Sequence, residues 1–573
     1  MRSSSIVAPI VFTALSSAAA QVTFTINPTQ NVQSISPFIY GVNGLLSSSQ
    51  YQGDNLTLER AGGDRWTAYN WTNNYSNAGS DYEYSNDLSL VNGATNTAPG
   101  AALVPILSDA QSRNAAALIT VPINGYVSAA VTGYANPSQP PSGSPYFVPE
   151  YPTASADPSP APGHVYEDQF IAWVKSNYPN GFAAGSASPI FVDLDNEPDL
   201  WSSTHPEVHP NPTTYAELIS DSAAYSQAIK SVAPNALVFG PVSYGWQGFM
   251  NLQNAPDDSD NNLIDPNTGK AYGDFISYYL AQMNAQSKLA GERLLDVLDV
   301  HWYPEATGTN ASGVQTRITE DDNSPGVAEA RMQAPRSLWD PTYVENSWIT
   351  QDSTGGQPIQ LLPRLQGEIN ANYPGTKLSI SEYNYGGGNN ISGGIAEADV
   401  LGIFGKYGVF SAAEWPLLSQ EPFIMGAFRM FRNYDGNGGT FGDLSISALD
   451  SDTVDTSIYA STFSTDPGKM VLVAINKTAS ALAADFKLTD NTQPYSSFAV
   501  YQLTANSTIT PDGDTALPTY VGSFPIADLS DYSMPADSVN TIVLSVPEPG
   551  GGIMLCGPAL LLLGFRSRRA GRA

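Results

Sequence analysis

A single cysteine, Cys556, stands in a chain of 573 residues, so the fold holds neither an internal disulfide nor a zinc or iron-sulfur site built from cysteines. Positive charge is also scarce. The 24 Lys and Arg face 54 Asp and Glu, and the formal net charge of -30 repels phosphate backbones, which excludes nucleic acid as a partner. Charged residues make up only 14% against 42% hydrophobic and 10% aromatic, a composition that excludes wholesale disorder. Histidine occurs four times, as His164, His205, His209 and His301. The His205 to His209 spacing suits zinc on a helix, but Pro206 intervenes and no third ligand is evident, so structural or hydrogen-bonding roles are expected. Long apolar runs are lacking too: the stretch Gly550 to Phe565 falls short of the about 20 residues a permanent membrane span needs. What remains is a globular chain with length for about two to four domains.

Both ends read as address labels. Arg2, the apolar run Ile6 to Leu15 and Ala18-Ala19-Ala20 have the order of a signal peptide cleaved after Ala20. At the far end Pro547-Glu548-Pro549, a short apolar segment and the cluster Arg566, Arg568, Arg569 resemble the PEP-CTERM sorting signal of Gram-negative bacteria. That resemblance implies processing by an exosortase and a secreted or envelope-associated protein. Between residues 21 and 546 the chain carries 19 basic and 53 acidic side chains, a charge of -34 suited to solubility outside the cell.

Eight short apolar segments alternate with longer helical or loop stretches: Phe38 to Asn43, Leu58 to Gly62, Ala117 to Ile123, Ile190 to Leu194, Leu237 to Val242, Val297 to Trp302, Lys377 to Glu382 and Val409 to Trp415. The alternation predicts an α/β fold, a (β/α)8 TIM-like barrel over residues 36–435 with large insertions. One insertion, Asn136 to Gly163, holds nine prolines in 28 residues and is expected to form a stiff loop at the active face. After about Asp435 the pattern turns to strands without long helices, which predicts a β-sandwich over 436–545. Val22 to Ile26, within 21–35, is expected to add a strand to it. Residues 546–573 form the sorting tail.

The sharpest chemical signal is Phe191-Val192-Asp193-Leu194-Asp195-Asn196-Glu197-Pro198, an apolar strand ending in Asn-Glu-Pro. Pro198 stops the strand and holds a carboxyl at its exit. A second glutamate ends the seventh strand in Ser379-Ile380-Ser381-Glu382-Tyr383-Asn384. The fourth and seventh strands face each other across such a barrel, and glycoside cleavage with retention needs two carboxyls about 5 to 5.5 Å apart. Glu197 therefore has the position of an acid/base and Glu382 that of a nucleophile.

Arg60-Ala61-Gly62-Gly63-Asp64-Arg65, Tyr69-Asn70-Trp71 and Ser76 to Asp81 resemble the N-terminal signature of glycoside hydrolase family 44. Asn196 to His205 with Thr214 to Leu218 resembles that family's acid/base segment, and Ser381 to Gly386 its nucleophile segment. The resemblance covers roughly residues 35 to 435, with Asp64 and Thr67 as departures. It implies retaining endo-hydrolysis of β-1,4-glucans such as cellulose derivatives and xyloglucan, with Asn196 on the sugar 2-hydroxyl. Catalysis then requires no cofactor, while a structural calcium is allowed by the family. The Asp-rich stretch Asp257 to Asn262 does not supply it by pattern, because Leu263 and Gly269 stand where an EF-hand loop needs Gly and Glu.

Sugar rings present apolar faces, so Trp71, Tyr75, Tyr303 and Trp415 are the expected substrate platforms, with Trp302 beside them. The expected partner is a β-glucan polysaccharide met by a monomer, with signal peptidase and exosortase as processing enzymes. The same mechanism on xylan or mannan, and a non-catalytic glycan-binding surface protein, are the alternatives. The two glutamates argue against the second, since binding alone needs no such pair. The processed protein is expected to begin at Gln21 and to end near Pro547 in a host with an exosortase. Mass spectrometry of the native protein checks this, and an intact Arg572 peptide in the mature protein counts against it.

Overall fold

The structure, a computed structural model, describes residues 21–93, 96–153, 163–258, 263–264, 269 and 271–547. The proposed leader, the tail from residue 548 with Cys556, residues 154–162 of the Pro-rich insertion and residues 259–262 of the Asp-rich stretch lie outside the described residues.

Eight parallel strands close into a barrel: β1 Gly41–Val42, β2 Leu58–Ala61, β3 Ala116–Val121, β4 Ile190–Leu194, β5 Val238–Ser243, β6 Val297–Trp302, β7 Lys377–Tyr383 and β8 Ser411–Glu414, with β8 returning to pair with β1. Apart from Lys377 at the entrance of β7, every residue of these strands is buried, as parallel strands are when helices cover their outer face. The first strand is shorter than its apolar run because Pro37–Ile39 forms a 3-10 turn capped by Ser36. The helices carry their own stops. Thr214 and Glu217 form a reciprocal cap on Tyr215–Val232, Asp274 caps Phe275–Ala290, and Ile391–Tyr407 runs from the Asn390 cap to left-handed Gly408.

The barrel interior is layered by the period of two along each strand. Leu58, Leu118, Phe191, Phe239 and Val297 form an apolar plug, closed below by Phe38 and Phe410. Two residues further along, the same faces carry Arg60, Thr120, Asp193 and Asp299, all buried. The interior thus changes from apolar to ionic within one step of the pleat. That step places the polar layer toward the C-terminal strand ends.

The second domain is one curled sheet with its own core, a β-sandwich in which Gln21–Asn27 pairs antiparallel to Leu444–Asp450 and parallel to Leu482–Leu488. Its strands divide their faces. Met470, Leu472 and Ala474 join the sheet's own core, whereas Val471, Val473 and Ile475 join the barrel's. The helix Ile391–Tyr407, buried over almost its whole length, lies at this junction. There Asp399 receives the Lys477 ammonium at 2.6 Å and the Tyr459 hydroxyl at 2.5 Å, with the Lys477 and Asp399 side chains each only 1% exposed. Among the described residues no helix is long and apolar enough to cross a membrane.

Removing one partner of a buried ion pair leaves the other charge uncompensated. Lys477→Met is therefore expected to lower stability by about 3 kcal/mol or more, and Asp399→Asn on that background to restore part of it. Denaturant unfolding of the three proteins measures both effects.

Candidate functional site

Glu197 is delivered by a distorted strand exit. Past Leu194 the backbone enters the left-handed region at Asp195 (φ 67°) and Glu197 (φ 44°), a conformation that costs of order 1 to 3 kcal/mol at a non-glycine residue and needs support. Support comes from the Asp195 carboxylate, which accepts the Ile123 N–H at 2.7 Å, the Asn196 N–H at 2.8 Å and the Trp201 indole N–H at 3.3 Å. The Glu197 N–H donates to the Val242 carbonyl on β5 at 3.0 Å. Across the barrel, the β6–β7 register shifts between Val300 and His301, which brings His301 opposite Glu382.

The two glutamates meet over His301. Its Nδ1 lies 2.8 Å from Glu197 Oε1 and 3.5 Å from Glu382 Oε2, and one oxygen of each carboxyl and a ring nitrogen of His301 all lie within 4.8 Å of one another. Glu382 accepts from Arg60 Nη1 at 2.5 Å and from the Tyr303 hydroxyl at 2.9 Å. Burial by itself raises a carboxyl's pKa, but His301, Arg60 and the Tyr303 hydrogen bond together hold Glu382 below the usual carboxylate range. His301, buried, is shifted upward because Glu382 and Glu197 outweigh its desolvation.

Arg60 organises the floor. Besides Glu382 it reaches Asp193 at 3.2 Å, Asn43 at 3.1 Å and the Asn196 side-chain oxygen at 3.0 Å. Asn196 Oδ1 also accepts the Gly63 N–H at 3.3 Å, so its NH2 group is the part left to face the cleft.

The expected aromatics separate. Tyr303 touches Glu382 directly, and half-buried Trp415 leans on the Gly62-Gly63 turn, where a Cβ on Gly63 would lie 2.6 Å from its ring. Tyr75 is half-buried at the rim, its hydroxyl 3.4 Å from Thr132 Oγ1. Trp71 is corrected: it is 1% exposed and stacked on Phe170 at 5.8 Å, a core residue with no face for a sugar. Trp302 is likewise buried, stacked on Phe249. An aromatic next to a strand end has the same sequence spelling whether its ring turns inward or outward. Arg60 and His301, absent from the expected site residues, had one legible signal each. Arg60 is the one cation in the short strand Leu58–Ala61, and His301 is the penultimate residue of Val297–Trp302, at its C-terminal end.

His205, His209 and Asp257 make structural contacts. His205 Nε2 bonds the Asp64 carbonyl and its Nδ1 bonds Glu207, both at 2.8 Å, and His209 pairs with Glu217 at 3.1 Å. Asp257 accepts the N–H groups of Tyr215 and Ala216 and so caps a helix. Among the described residues, Glu197, His301 and Glu382 are the group of His, Asp and Glu whose ligand atoms converge as a metal would need. They do not fit calcium: the Arg60 guanidinium already binds Glu382, and His301 adds a nitrogen where a hard cation wants oxygen.

Behind β7 lie Glu397, Glu414 and Glu421, which have no ion-pair partner among the described residues. Asn384 Nδ2 is shared by Glu414 Oε1 at 2.6 Å and Glu421 at 3.3 Å, while Glu397 accepts the Tyr383 hydroxyl at 2.7 Å. Burial and the facing Glu421 and Glu397 raise Glu414, and burial, reinforced by Glu421 and opposed by the Tyr383 bond, pushes Glu397 up to about 8. A carboxyl raised on folding binds its proton more tightly in the native than in the unfolded state, so stability falls as pH rises from about 4.5 through about 8. Thermal melts between pH 4.5 and 8.5 are expected to show this decline, and Glu397→Gln to flatten it.

Comparison with known proteins agrees with this geometry. The model of glycoside hydrolase family 44 matches residues 75–306. Endoglucanase A of Paenibacillus lautus is 41% identical over 471 residues, 81% of this chain and 65% of its own. Beta-mannanase/endoglucanase A of Caldicellulosiruptor saccharolyticus is 39% identical over 512 residues, 85% of this chain and 36% of its own. The chain thus spans less than two thirds of either curated relative. A family 44 xyloglucanase from Paenibacillus polymyxa, solved with xyloglucan, superposes with a TM-score of 0.83 at 37% identity, covering 92% of this chain and 100% of that one.

Proposed function

Because the chain belongs to glycoside hydrolase family 44, we propose that it is a retaining endo-hydrolase of β-1,4-glucans, acting on cellulose derivatives and xyloglucan through Glu197 and Glu382. The observation that carries the reading is the approach of the two carboxyls to within 4.8 Å. Inverting enzymes hold their carboxyls about 6.5 to 9.5 Å apart to admit a water and retaining ones about 5 to 5.5 Å, so an oxygen of each within 4.8 Å of the other supports retention.

Glu382, kept ionised by Arg60 and His301, attacks the anomeric carbon while the C–O bond to the leaving sugar breaks. Glu197 gives its proton to the departing oxygen. It then takes a proton from water, whose oxygen attacks the same carbon and releases Glu382. The Tyr303 hydroxyl orients the nucleophile, and the Asn196 NH2 group meets the 2-hydroxyl. Trp415, beside the Gly62-Gly63 turn, offers a face to the sugar ring.

Xylan and mannan call for the same two carboxyls, so the sugar is decided by contacts around them. A reducing-sugar assay on carboxymethyl cellulose, xyloglucan, xylan and mannan ranks the substrates. No cleavage of any of them would leave a glycan-binding role instead.

Glu382→Gly is expected to lower turnover by about 10^4-fold or more. Azide should then restore cleavage of an activated aryl glycoside, giving a product of inverted configuration. Glu197→Ala should stall at the glycosyl-enzyme until azide releases a product of retained configuration. Proton NMR of a fresh wild-type hydrolysate should show the β-anomer first. The α-anomer appearing first would mean inversion and would remove Glu382 as nucleophile.

A further inference from the structure

Asp64 opens the short helix Asp64–Thr67 directly after β2, at the turn Gly62-Gly63. Gly63 has φ 92°, and this left-handed turn lets its N–H reach Asn196 Oδ1 while Trp415 packs against its Cα. Asp64 follows with Oδ1 3.4 Å from Asn196 Nδ2. Its Oδ2 makes no protein hydrogen bond among the described residues, and the side chain is half-buried at the cleft.

The turn is clamped from beneath. His205 is 1% exposed, and its two ring nitrogens face acceptors at 2.8 Å, the Asp64 carbonyl and the Glu207 carboxylate. A carbonyl only accepts, and so does an ionised carboxylate, so both nitrogens carry protons and the ring is a cation. The bond to Glu207 and the charges of Glu207, Asp64 and Asp195 push His205 up to about 9 against its burial, so the clamp persists through neutral pH. A Cβ on Gly79 would lie 2.7 Å from the His205 ring, which leaves the imidazole little room to move.

This clamp does nothing for the two glutamates directly. It fixes one carboxyl beside the amide that is read as meeting the 2-hydroxyl. Asn196 Oδ1 is already taken by Arg60 and Gly63, so of the two Nδ2 protons one points at Asp64 and the other at the cleft. We propose that Asp64 is a positioning residue for the sugar being cleaved: Oδ1 orients the Asn196 amide, and Oδ2 hydrogen-bonds a neighbouring secondary hydroxyl of the same ring. The inference rests on the reading of Asn196 above and extends it to a residue outside the glutamate pair.

The charged neighbours decide which proton state does this. His205 lies below, and the charges of Glu197, Asp81 and Glu382 also act on Asp64. Burial and the three carboxyls outweigh His205 and push Asp64 up to about 7. Below that pH it is a neutral acid that accepts from Asn196 and donates to the sugar. Above it the donor is lost and a further negative charge enters the site.

The test compares wild type, Asp64→Asn, Asp64→Ala and Asn196→Ala on an aryl β-cellobioside and on its analogue lacking the 2-hydroxyl of the cleaved sugar. Melting curves accompany kcat and KM from pH 5 to 9. Asp64→Ala is expected to lose about tenfold in kcat/KM on the parent glycoside at pH 5.5, and only about threefold on the 2-deoxy analogue, where the bond from Oδ2 to the neighbouring hydroxyl is all that is left to lose. Asp64→Asn keeps an acceptor and a donor, so its KM should match wild type at pH 5.5 and stay level where the wild-type KM rises above pH 7. Equal losses on both substrates, no loss on either, or a KM rise in Asp64→Asn that parallels wild type would overturn the proposal. Should Asp64→Ala melt before assay, the Asp64→Asn profile decides. Equal losses for Asn196→Ala on the two substrates would instead tell against Asn196 as the 2-hydroxyl ligand, whatever Asp64 does to KM.

Discussion

The Arg60 guanidinium, sealed inside the barrel, is the charge around which the site is arranged. A buried cation is tolerated only when its donors are met by acceptors, and Arg60 spreads them over Asp193, Glu382, Asn43 and Asn196. Those acceptors come from β4, from β7, and from the segments that follow β1 and β4. One planar group therefore sets the spacing of strands that are distant in sequence. It also sets chemistry, since the same guanidinium keeps Glu382 ionised and turns the Asn196 amide outward.

Around this cation the protein places more carboxyls than it neutralises. Glu382 is stabilised as an anion by Arg60 and His301, whereas Glu397 and Glu414 behind the same strand have no ion-pair partner among the described residues and are driven toward the protonated form. Glu382 leaves one face of β7 beside Arg60 and His301, whereas Tyr383 leaves the other face toward Glu397 on the following helix and is paired with Glu414 of β8. The sandwich shares in this arrangement. Tyr383 follows Glu382 and bonds Glu397, and two residues further along that helix Asp399 receives Lys477 and Tyr459 from the second domain. The second domain is thereby tied to the helix that packs behind the nucleophile strand.

Much of this was legible before any coordinates. The eight barrel strands lie where short apolar runs alternate with longer segments, because a strand covered on both faces must be apolar nearly throughout. The ends of β1 and β8 were less legible, since a 3-10 turn before β1 extends the apolar run without extending the pairing. Leu482–Leu488 and Thr519–Pro525 carry mixed, partly exposed patterns and are strands only by virtue of their partners.

The sequence by itself determined the kind of chemistry. Two glutamates at the ends of the fourth and seventh apolar strands are a local fact, and a barrel's closure converts that order into opposition. Only the tertiary structure decided which neighbours act on them. Trp71 and Trp415 are spelled alike beside strand ends, yet one ring stacks on Phe170 in the core and the other rests on the Gly62-Gly63 turn. His205 is four residues from His209, yet its partners are Glu207 and the Asp64 carbonyl. Side-chain direction and the sharing of a buried charge depend on contacts between segments separated by more than a hundred residues. Such contacts leave no periodicity in the chain, because they are set by packing and the low dielectric of the interior.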